Sequence, residues 1–288
     1  MTETLPDEIL DEILAYNLTL SHTDFLAFHD GLRYWSRSES PRCSDLVLVS
    51  KRWLRVGTPL LYECVRLAKP AHTAAVAQLL RAQPQVGRSV RCLRLEGGLG
   101  RDLVHIARAA TRLESLYVEM RVKSADSITG LVKALPLLQP RHLYLENDFG
   151  RRDNKKIAEV RKAMEAYVRD AALPLKSVTL SDWFQGMNRT WASAIAASSV
   201  EELSCRSSDM VGWIRNGLVR AMLQNSRLQR VVCRGTFEEA SIRKCLQRQG
   251  FTKADMEKFS FVRHSMDREL EILALEFSEW GTSDNEED

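Results

Sequence analysis

The hexad Leu113-Glu-Ser-Leu-Tyr-Val118 shows a pattern that recurs through the middle of the chain. Its first, fourth and sixth residues are apolar, and its last two favour a β-strand. Five further hexads keep apolar fourth and sixth positions and span residues 90–95, 140–145, 175–180, 200–205 and 228–233. Consecutive hexads start 23 to 35 residues apart. The pattern predicts short strands at a nearly regular interval.

An amphipathic helical pattern fills each interval between the hexads. Ile157, Val160, Met164 and Val168, for example, recur on one helical face. Equivalent stripes begin at Leu103, Ile128, Trp191, Val211 and Ile242, and the one from Val211 continues through Ile214 and Leu218 to Met222. We also predict a strand at 62–67, a helix at 73–81 and a strand at 258–262. The stretch 269–277 fits either a strand or a helix. The alternation predicts an α/β repeat fold.

A strand–helix alternation with LxxLxL strands resembles leucine-rich repeats. The asparagine that usually follows the strand in that family is mostly absent, and only Asn147 lies near its place. The resemblance therefore implies an irregular leucine-rich-repeat-like solenoid over residues 65–280, with a curved parallel sheet and helices outside. The acidic residues 281–288 are expected to form a disordered tail.

In such strands the fourth and sixth residues face the core, and the third, fifth and seventh point outward on the concave face. The target-binding candidates on that face are Arg94, Glu96, Tyr117, Glu119, His142, Tyr144, Glu146, Thr179, Ser204, Arg206, Arg230 and Arg234, with Ser181 beside them. Glutamate and tyrosine occupy one end and arginine the other. Either this surface recognises a protein of opposite polarity, or its residues are polar only because exposed strand positions usually are.

Two N-terminal segments predict a small helical module. In Leu5-Pro-Asp-Glu-Ile-Leu-Asp-Glu-Ile-Leu14, Thr4 can cap a helix, Pro6 suits its first turn, and acidic residues follow. The second segment spans residues 44–63. It starts with Ser44 as a candidate cap and places Leu46, Val49, Trp53 and Val56 on one face. Gly57 is expected to end this helix and Pro59 to open a shorter one.

These segments resemble an F-box, whose pattern opens with Leu-Pro, an acidic residue and an Ile/Leu pair, and closes with Val-x-Lys/Arg-x-Trp. The matching residues are Leu5-Pro6-Asp7-Glu8-Ile9-Leu10 and Val49-Ser50-Lys51-Arg52-Trp53. The module covers residues 1–64, with an insertion at 16–43 that is longer than the family usually allows. Its apolar residues suggest an inserted helix, followed by a loop at 36–41; they are Phe25, Leu26, Phe28, Leu32, Tyr34 and Trp35.

The resemblance to this family, in particular to its fungal members with irregular repeats, implies the substrate-recognition subunit of a Skp-cullin-F-box ubiquitin ligase. The N-terminal helices would bind a Skp-type adaptor, and through it a cullin-RING ligase. The repeats would bind a protein target. The adaptor-binding candidates are Leu5, Pro6, Ile9, Leu10, Val49 and Trp53, with Lys51 and Arg52 at the rim. Two alternatives are a repeat scaffold that binds no adaptor and a nucleotide-binding α/β protein.

Composition narrows the remaining function classes. The 288 residues are 44% apolar and 27% charged, as in folded globular proteins. No long apolar run predicts a membrane span, and no secretory signal is visible. Six cysteines without a CxxC pair favour a reducing compartment, cytoplasm or nucleus. The net charge of +3 comes from interspersed charges, so we expect no nucleic-acid binding.

No catalytic or cofactor motif is apparent. The six histidines show no HExxH pattern or other ligand spacing, and no GxSxG elbow occurs. Cys205 and Cys233 fill apolar repeat positions and are expected in the core. Gly97-Gly98-Leu99-Gly100 lacks the spacing of a phosphate-binding loop, so we interpret it as a tight exit from a strand. We therefore expect a non-catalytic protein without a metal or cofactor.

Overall fold

A computed structural model describes residues 5–19, 21–26, 43–97, 99–120, 122–146, 154–170, 172–181, 184, 187–235 and 239–262. The first part of the chain is helical. It contains α1 (Asp7–Leu18), α2 (His22–Leu26), a 3₁₀ helix at Cys43–Leu48 and α3 (Lys51–Leu61). Several predictions lie outside the described residues: the cap at Thr4, the insert from Phe28 to its loop at 36–41, and the segments 269–277 and 281–288.

Among the described residues after α3, the strands form one parallel sheet. Its eight strands are β1 (Cys64–Leu67), β2 (Cys92–Glu96), β3 (Ser115–Glu119), β4 (His142–Glu146), β5 (Ser177–Leu180), β6 (Glu202–Arg206), β7 (Arg230–Arg234) and β8 (Phe259–Val262). They pair in chain order, and each neighbouring pair is parallel. Doubly wound sheets bind nucleotides where the strand order reverses, and the order of these eight strands does not reverse. The predicted α/β class is confirmed, and the order is compatible with a repeat architecture.

Helices connect the successive strands. They are α4 (Pro70–Ala82), α5 (Leu103–Ala109), α6 (Thr129–Ala134), α7 (Lys155–Arg169), α8 (Arg189–Ala197), α9 (Ser207–Arg215), α10 (Leu218–Met222), α11 (Glu239–Arg248) and α12 (Lys253–Glu257). Their buried residues and the inward-facing residues of the strands form one continuous apolar core. Among the described residues, no helix is both long and apolar enough to cross a membrane.

The fourth and sixth residues of each hexad point into this core, as the sequence predicts. All twelve are at most 2% exposed. Leu93, Leu116 and Leu143 pair in register across β2, β3 and β4, and the row continues through Val178 and Leu203. Burying one such side chain contributes about 1.5–3 kcal/mol. This row of aliphatic residues therefore supplies much of the cohesion between neighbouring repeats.

The glycine-rich segment after β2 serves backbone packing. Gly97 has a φ of 91°, which favours glycine and turns the chain away from the strand. A Cβ added to Gly130 in α6 would lie 1.5 Å from the carbonyl oxygen of Gly100. The loop and the helix can approach this closely because Gly130 has no side chain. The geometry agrees with a tight strand exit.

The predicted helix boundaries in the second N-terminal segment are wrong. Residues 43–48 form a 3₁₀ helix, and α3 begins at Lys51, capped by the Ser50 hydroxyl, which accepts a hydrogen bond from the Trp53 amide at 3.2 Å. The helix continues through Gly57 and Pro59. A Cβ on Gly57 would lie 2.6 Å from a methyl carbon of Val47. Gly57 therefore permits a close contact and does not end the helix.

The stripe from Val211 to Met222, predicted as one helix, is divided into α9 and α10. Gly217 separates them with a φ of 72°, in the left-handed region. Ile214, before Gly217, and Leu218, after it, are both buried. The helical spacing of apolar residues is therefore kept although the helix is interrupted. Helical spacing alone therefore could not reveal the turn.

A buried asparagine holds two neighbouring repeats together. The Asn225 amide nitrogen lies within hydrogen-bond distance of the carbonyl oxygens of Ile195, Ser198 and Val200, at 2.9, 3.3 and 3.1 Å. Its side-chain oxygen accepts from the Arg227 amide at 2.9 Å. Asn225 is 3% exposed. One side chain thereby satisfies backbone carbonyls at the end of α8 that water does not reach.

We predict that Asn225→Ala lowers the free energy of unfolding by about 1–3 kcal/mol, because buried carbonyl groups lose their donor. The midpoint of urea unfolding measures this. The control is Asn216→Ala, which alters an exposed turn residue and should change stability by less than about 0.5 kcal/mol. Equal midpoints for the two variants would contradict the structural role of Asn225.

Candidate functional site

The N-terminal helices form a small core of their own. Leu10, Leu14 and Leu18 of α1 pack with Val47, and Trp53 packs partly buried against them. Leu10 is only 2% exposed. Leu10 is predicted to contact an adaptor, but its side chain is enclosed within the module and packs in the module's own core. The helical period explains why Leu10 is buried, since positions 10, 14 and 18 share the face of α1 that packs inside the module.

A second apolar stripe on α1 faces outward. Leu5, Ile9 and Ile13 recur at intervals of four residues and are 42%, 42% and 43% exposed. Leu48, Val49 and Leu54 are also large exposed apolar residues, on the 3₁₀ helix, the turn after it and α3. We call these six residues the apolar patch. Of the adaptor-binding candidates, the patch contains Leu5, Ile9 and Val49, and Pro6 and Lys51 are exposed beside it.

Charged groups fix the start of α1 against the start of α3. The Asp7 carboxylate accepts from Arg52 Nε at 2.7 Å and from Arg55 Nη2 at 2.6 Å. Arg52 also donates to the carbonyl oxygen of Leu5. These hydrogen bonds, from Arg55 first and Arg52 second, hold the pKa of Asp7 below its usual range. Arg52, predicted as a rim contact, thus also positions Leu5 next to α3.

The third, fifth and seventh residues of the hexads share the other side of the sheet, which we call the polar face. The seventh positions form a row in which Glu96, Glu119 and Glu146 are register neighbours across β2, β3 and β4. Arg206 and Arg234 are neighbours in β6 and β7. The described strands therefore bring the predicted acidic and basic residues together at separate ends of one face.

Helix α2, which belongs to the predicted insert, covers the acidic end of the polar face. Phe25 and Leu26 pack against Cys92 and Tyr117, with Tyr144 at the edge of the cluster. Phe25 and Leu26 are both buried. The apolar residues of α2 thus pack against strand side chains that were predicted to be open to a target.

Arg94 joins α2 to the strands. It is 2% exposed, and its guanidinium lies 3.7 Å from the centre of the Tyr117 ring. Its Nη1 donates to the carbonyl oxygen of Phe25 at 2.8 Å, and its Nε donates to Glu96 at 2.7 Å. Arg66 also binds the Glu96 carboxylate, through two nitrogens at 2.9 and 2.7 Å. This buried arginine is paired and hydrogen-bonded, as a buried charge requires.

The expectation of an open polar face is therefore wrong at five positions. The buried candidates are Arg94, Tyr117, Glu119, Glu146 and Ser204, and Ser181 is buried too. The Tyr117 hydroxyl donates to Glu146, so two of these residues bind each other. Sequence periodicity gives the side of the sheet on which a residue lies, but a covering segment from elsewhere in the chain decides its exposure.

The other end of the polar face is more accessible. Arg230 is exposed, and Thr179, Arg206 and Arg234 are partly exposed there. His142 and Tyr144, on β4 in the middle of the sheet, are partly exposed too. Arg230 forms a 3.4 Å ion pair with Glu202 and donates to Ser260 at 3.1 Å. His142 Nδ1 lies 2.9 Å from the Ser177 hydroxyl, and burial lowers the pKa of His142. Glu96 is partly exposed at the opposite, covered end.

One group of side chains in the described part of the chain could hold a metal ion. His22 of α2, Cys64 of β1 and Cys92 of β2 bring their ligand atoms within 4.8 Å of one another. The sequence motifs do not reveal this group, because its members are far apart in the chain. The two cysteines could have been associated from the sequence, since Cys64 and Cys92 occupy the same position when the strands are aligned.

A search against protein-family models finds no match to the chain, and no curated protein sequence is significantly similar to it.

We predict that Asp7→Asn lowers the melting temperature at neutral pH, because the amide no longer binds Arg52 and Arg55 as an anion. A carboxylate whose pKa is lowered by folding contributes stability above its ordinary pKa of 3.8, and this contribution is lost as the pH falls through the lowered value. The difference between wild type and variant should therefore disappear in strong acid. Thermal melts across this range measure it, and a constant difference would contradict the ion-pair origin.

Proposed function

We propose that the chain is the substrate-recognition subunit of a Skp-cullin-F-box type ubiquitin ligase. Its N-terminal helices bind a Skp-type adaptor, and the accessible part of the polar face binds a protein target. The observation that carries this proposal is the apolar patch, which contains Leu5, Ile9 and Val49 of the F-box-like motif. The regular strand–helix units support the further proposal of an irregular leucine-rich-repeat-like domain.

The apolar patch is the kind of surface that a stable partner covers. Exposed large apolar residues are unremarkable when scattered singly, whereas neighbouring ones, such as the three spaced by four residues on α1, are typical of an interaction site. Leu5, Ile9 and Ile13 form a stripe on α1, and the Arg52 hydrogen bond ties Leu5 to the first turn of α3, next to Val49. A standard interface hides about 800 Å² of each partner. The patch supplies the central apolar residues around which such an interface forms.

The structure of the module divides the motif residues into two roles. Leu5, Pro6, Ile9 and Val49 are exposed and available to an adaptor, with Lys51 at the edge. Leu10 and the partly buried Trp53 hold the module together from inside. In this assembly the chain supplies binding surfaces, and the other ligase subunits supply ubiquitin transfer. The proposal therefore assigns no catalytic residue to the chain.

The target-binding surface is proposed at the accessible, basic end of the polar face. Arg206, Arg230 and Arg234 lie on β6 and β7, and the Arg230 side chain is 54% exposed at the strand start. Guanidinium groups bind carboxylates through paired hydrogen bonds. An acidic segment of a protein target matches this surface. The covered glutamates at the other end take no part in target binding.

We predict that Leu5→Ala with Ile9→Ala weakens adaptor binding by about 100-fold or more. Each buried anchor contributes about 1–3 kcal/mol, and 1.4 kcal/mol is tenfold in affinity. Both side chains are exposed in the free chain, so the helices should keep their stability. Co-purification with a Skp-type adaptor, followed by calorimetric titration, gives the two affinities.

The matched control is Asp11→Ala with Glu12→Ala, which changes two exposed polar residues on the same helix. This control should bind the adaptor as the wild type does. Equal adaptor recovery with the wild type and the Leu5/Ile9 variant would contradict the proposal. Absence of adaptor recovery with the wild type would favour the alternative of a repeat scaffold that binds partners without an adaptor.

We also predict that Arg206→Ala with Arg230→Ala reduces target capture by about 10-fold or more and leaves adaptor binding unchanged. Quantitative mass spectrometry of proteins captured with the adaptor-bound chain measures both. The control is Arg227→Ala with Arg248→Ala, which removes the same charge from exposed positions outside the strands. An unchanged set of captured proteins, or the same change in the control, would refute the location of the target site.

A further inference from the structure

We propose that His22, Cys64 and Cys92 bind a zinc ion that fastens α2 to the first two strands of the sheet. The three ligand atoms lie within 4.8 Å of one another, although the residues come from three separate elements. The proposal concerns how the chain closes its own polar face. It does not rest on adaptor binding or on the identity of a target.

The sheet register creates the thiol pair. Cys64 and Cys92 are direct partners in the parallel pairing of β1 and β2, and their side chains project on the polar face. Cys92 is buried and Cys64 is partly exposed, so the pair is enclosed on one side and reachable on the other. Helix α2 brings His22 over this opening. A rigid strand pair thus supplies two ligands, and a covering helix supplies the third.

The separations are close to those of a zinc site. Zinc–sulfur bonds of about 2.3 Å and zinc–nitrogen bonds of about 2.0 Å put tetrahedral donor atoms roughly 3.5–3.8 Å apart. The observed limit of 4.8 Å therefore requires the donor atoms to approach one another by about 1.3 Å at most. Rotation of the half-exposed His22 side chain can provide this movement.

The donor types select the metal. Thiolate and imidazole favour zinc, whereas calcium and magnesium require several oxygen ligands. Each thiol releases its proton to solvent as its sulfur binds the ion, and the imidazole binds as the neutral base. Two thiolates balance the two positive charges of zinc. The resulting site carries no net charge, which suits its position next to the buried Phe25 and Leu26.

Glu63 lies beside the proposed site. Its carboxylate oxygen is 3.4 Å from Nε2 of His22, and it directly precedes Cys64 in the chain. A carboxylate next to a metal-binding histidine fixes the imidazole orientation and increases its basicity. Three protein ligands also leave one tetrahedral position for a fourth donor. Glu63 is therefore a positioning residue or the fourth ligand, and its removal weakens the site in both cases.

The other end of the sheet provides an internal comparison. Cys205 and Cys233 are also direct partners, in β6 and β7, and both are buried. They face the helix-covered core, and among the described residues no third His, Cys, Asp or Glu completes a ligand group with them. A thiol pair by itself is thus compatible with ordinary core packing. The histidine and the polar-face location distinguish Cys64 and Cys92.

A bound zinc ion would have a mechanical consequence. It would link α2 covalently to β1 and β2, in addition to the hydrogen bond from Arg94 to Phe25. Opening α2 would then require loss of a zinc bond as well as separation of Phe25 from Tyr117. The zinc site therefore sets how firmly the acidic end of the polar face stays closed.

The test uses the full chain, purified under reducing conditions, stripped of metal and titrated with cobalt(II) as a spectroscopic probe. We expect one equivalent to bind, with thiolate-to-cobalt charge-transfer bands in the near ultraviolet and ligand-field bands in the visible. Zinc should then displace the cobalt. Cys64→Ser and His22→Ala should each lower cobalt affinity by at least about 10–100-fold, and Glu63→Gln by about 10–100-fold.

His22→Ala is the decisive variant, because His22 is half-exposed and its removal leaves the core intact. Cys245→Ser, which removes a partly buried thiol in α11, is the control and should bind cobalt normally. Zinc should also slow chymotrypsin cleavage after Phe25 in the wild type but not in His22→Ala. Absence of thiolate bands in the wild type, or bands that persist unchanged in Cys64→Ser, would overturn the proposal.

Discussion

Eight parallel strands that follow one another in chain order must all direct the same hexad positions toward the connecting helices. A shift of one residue would exchange the two faces of a strand, because successive side chains point to opposite sides. Leu93, Leu116 and Leu143 lie in one unbroken row and are fully buried. This alignment fixes the register of the whole sheet. The positions of all polar-face residues follow from it.

The same register creates an electrostatic problem on the opposite face. It brings Glu96, Glu119 and Glu146 into neighbouring positions, where like charges repel each other. Arg66 and Arg94 bind Glu96, and the Tyr117 hydroxyl donates to Glu146. The covering helix participates directly, since its backbone accepts from Arg94. Glu96 is therefore neutralised and Glu146 hydrogen-bonded within the chain, whereas partly exposed arginines lie at the basic end.

The strands and their inward residues could be predicted because the hexad is a local pattern repeated many times. The roles of single glycines could not. Gly57 was expected to end a helix, but it lies where Val47 approaches α3, and the helix continues. Gly217 interrupts an apolar stripe whose spacing, from Ile214 to Leu218, is perfectly helical. In both cases the outcome depends on a backbone conformation or a distant partner that spacing does not encode.

The position of the covering helix α2 also could not be predicted from spacing, because its partners are distant in the chain. Phe25 and Leu26 predicted a helix in the insert, but the Arg94–Phe25 hydrogen bond joins residues 69 positions apart. Aligning the hexads suffices to pair Cys64 with Cys92, whereas nothing local associates His22 with them. Residues 19–21 alone separate α1, with its apolar patch, from α2. Because the connection is so short, any partner that displaces α1 must also act on the segment that closes the polar face.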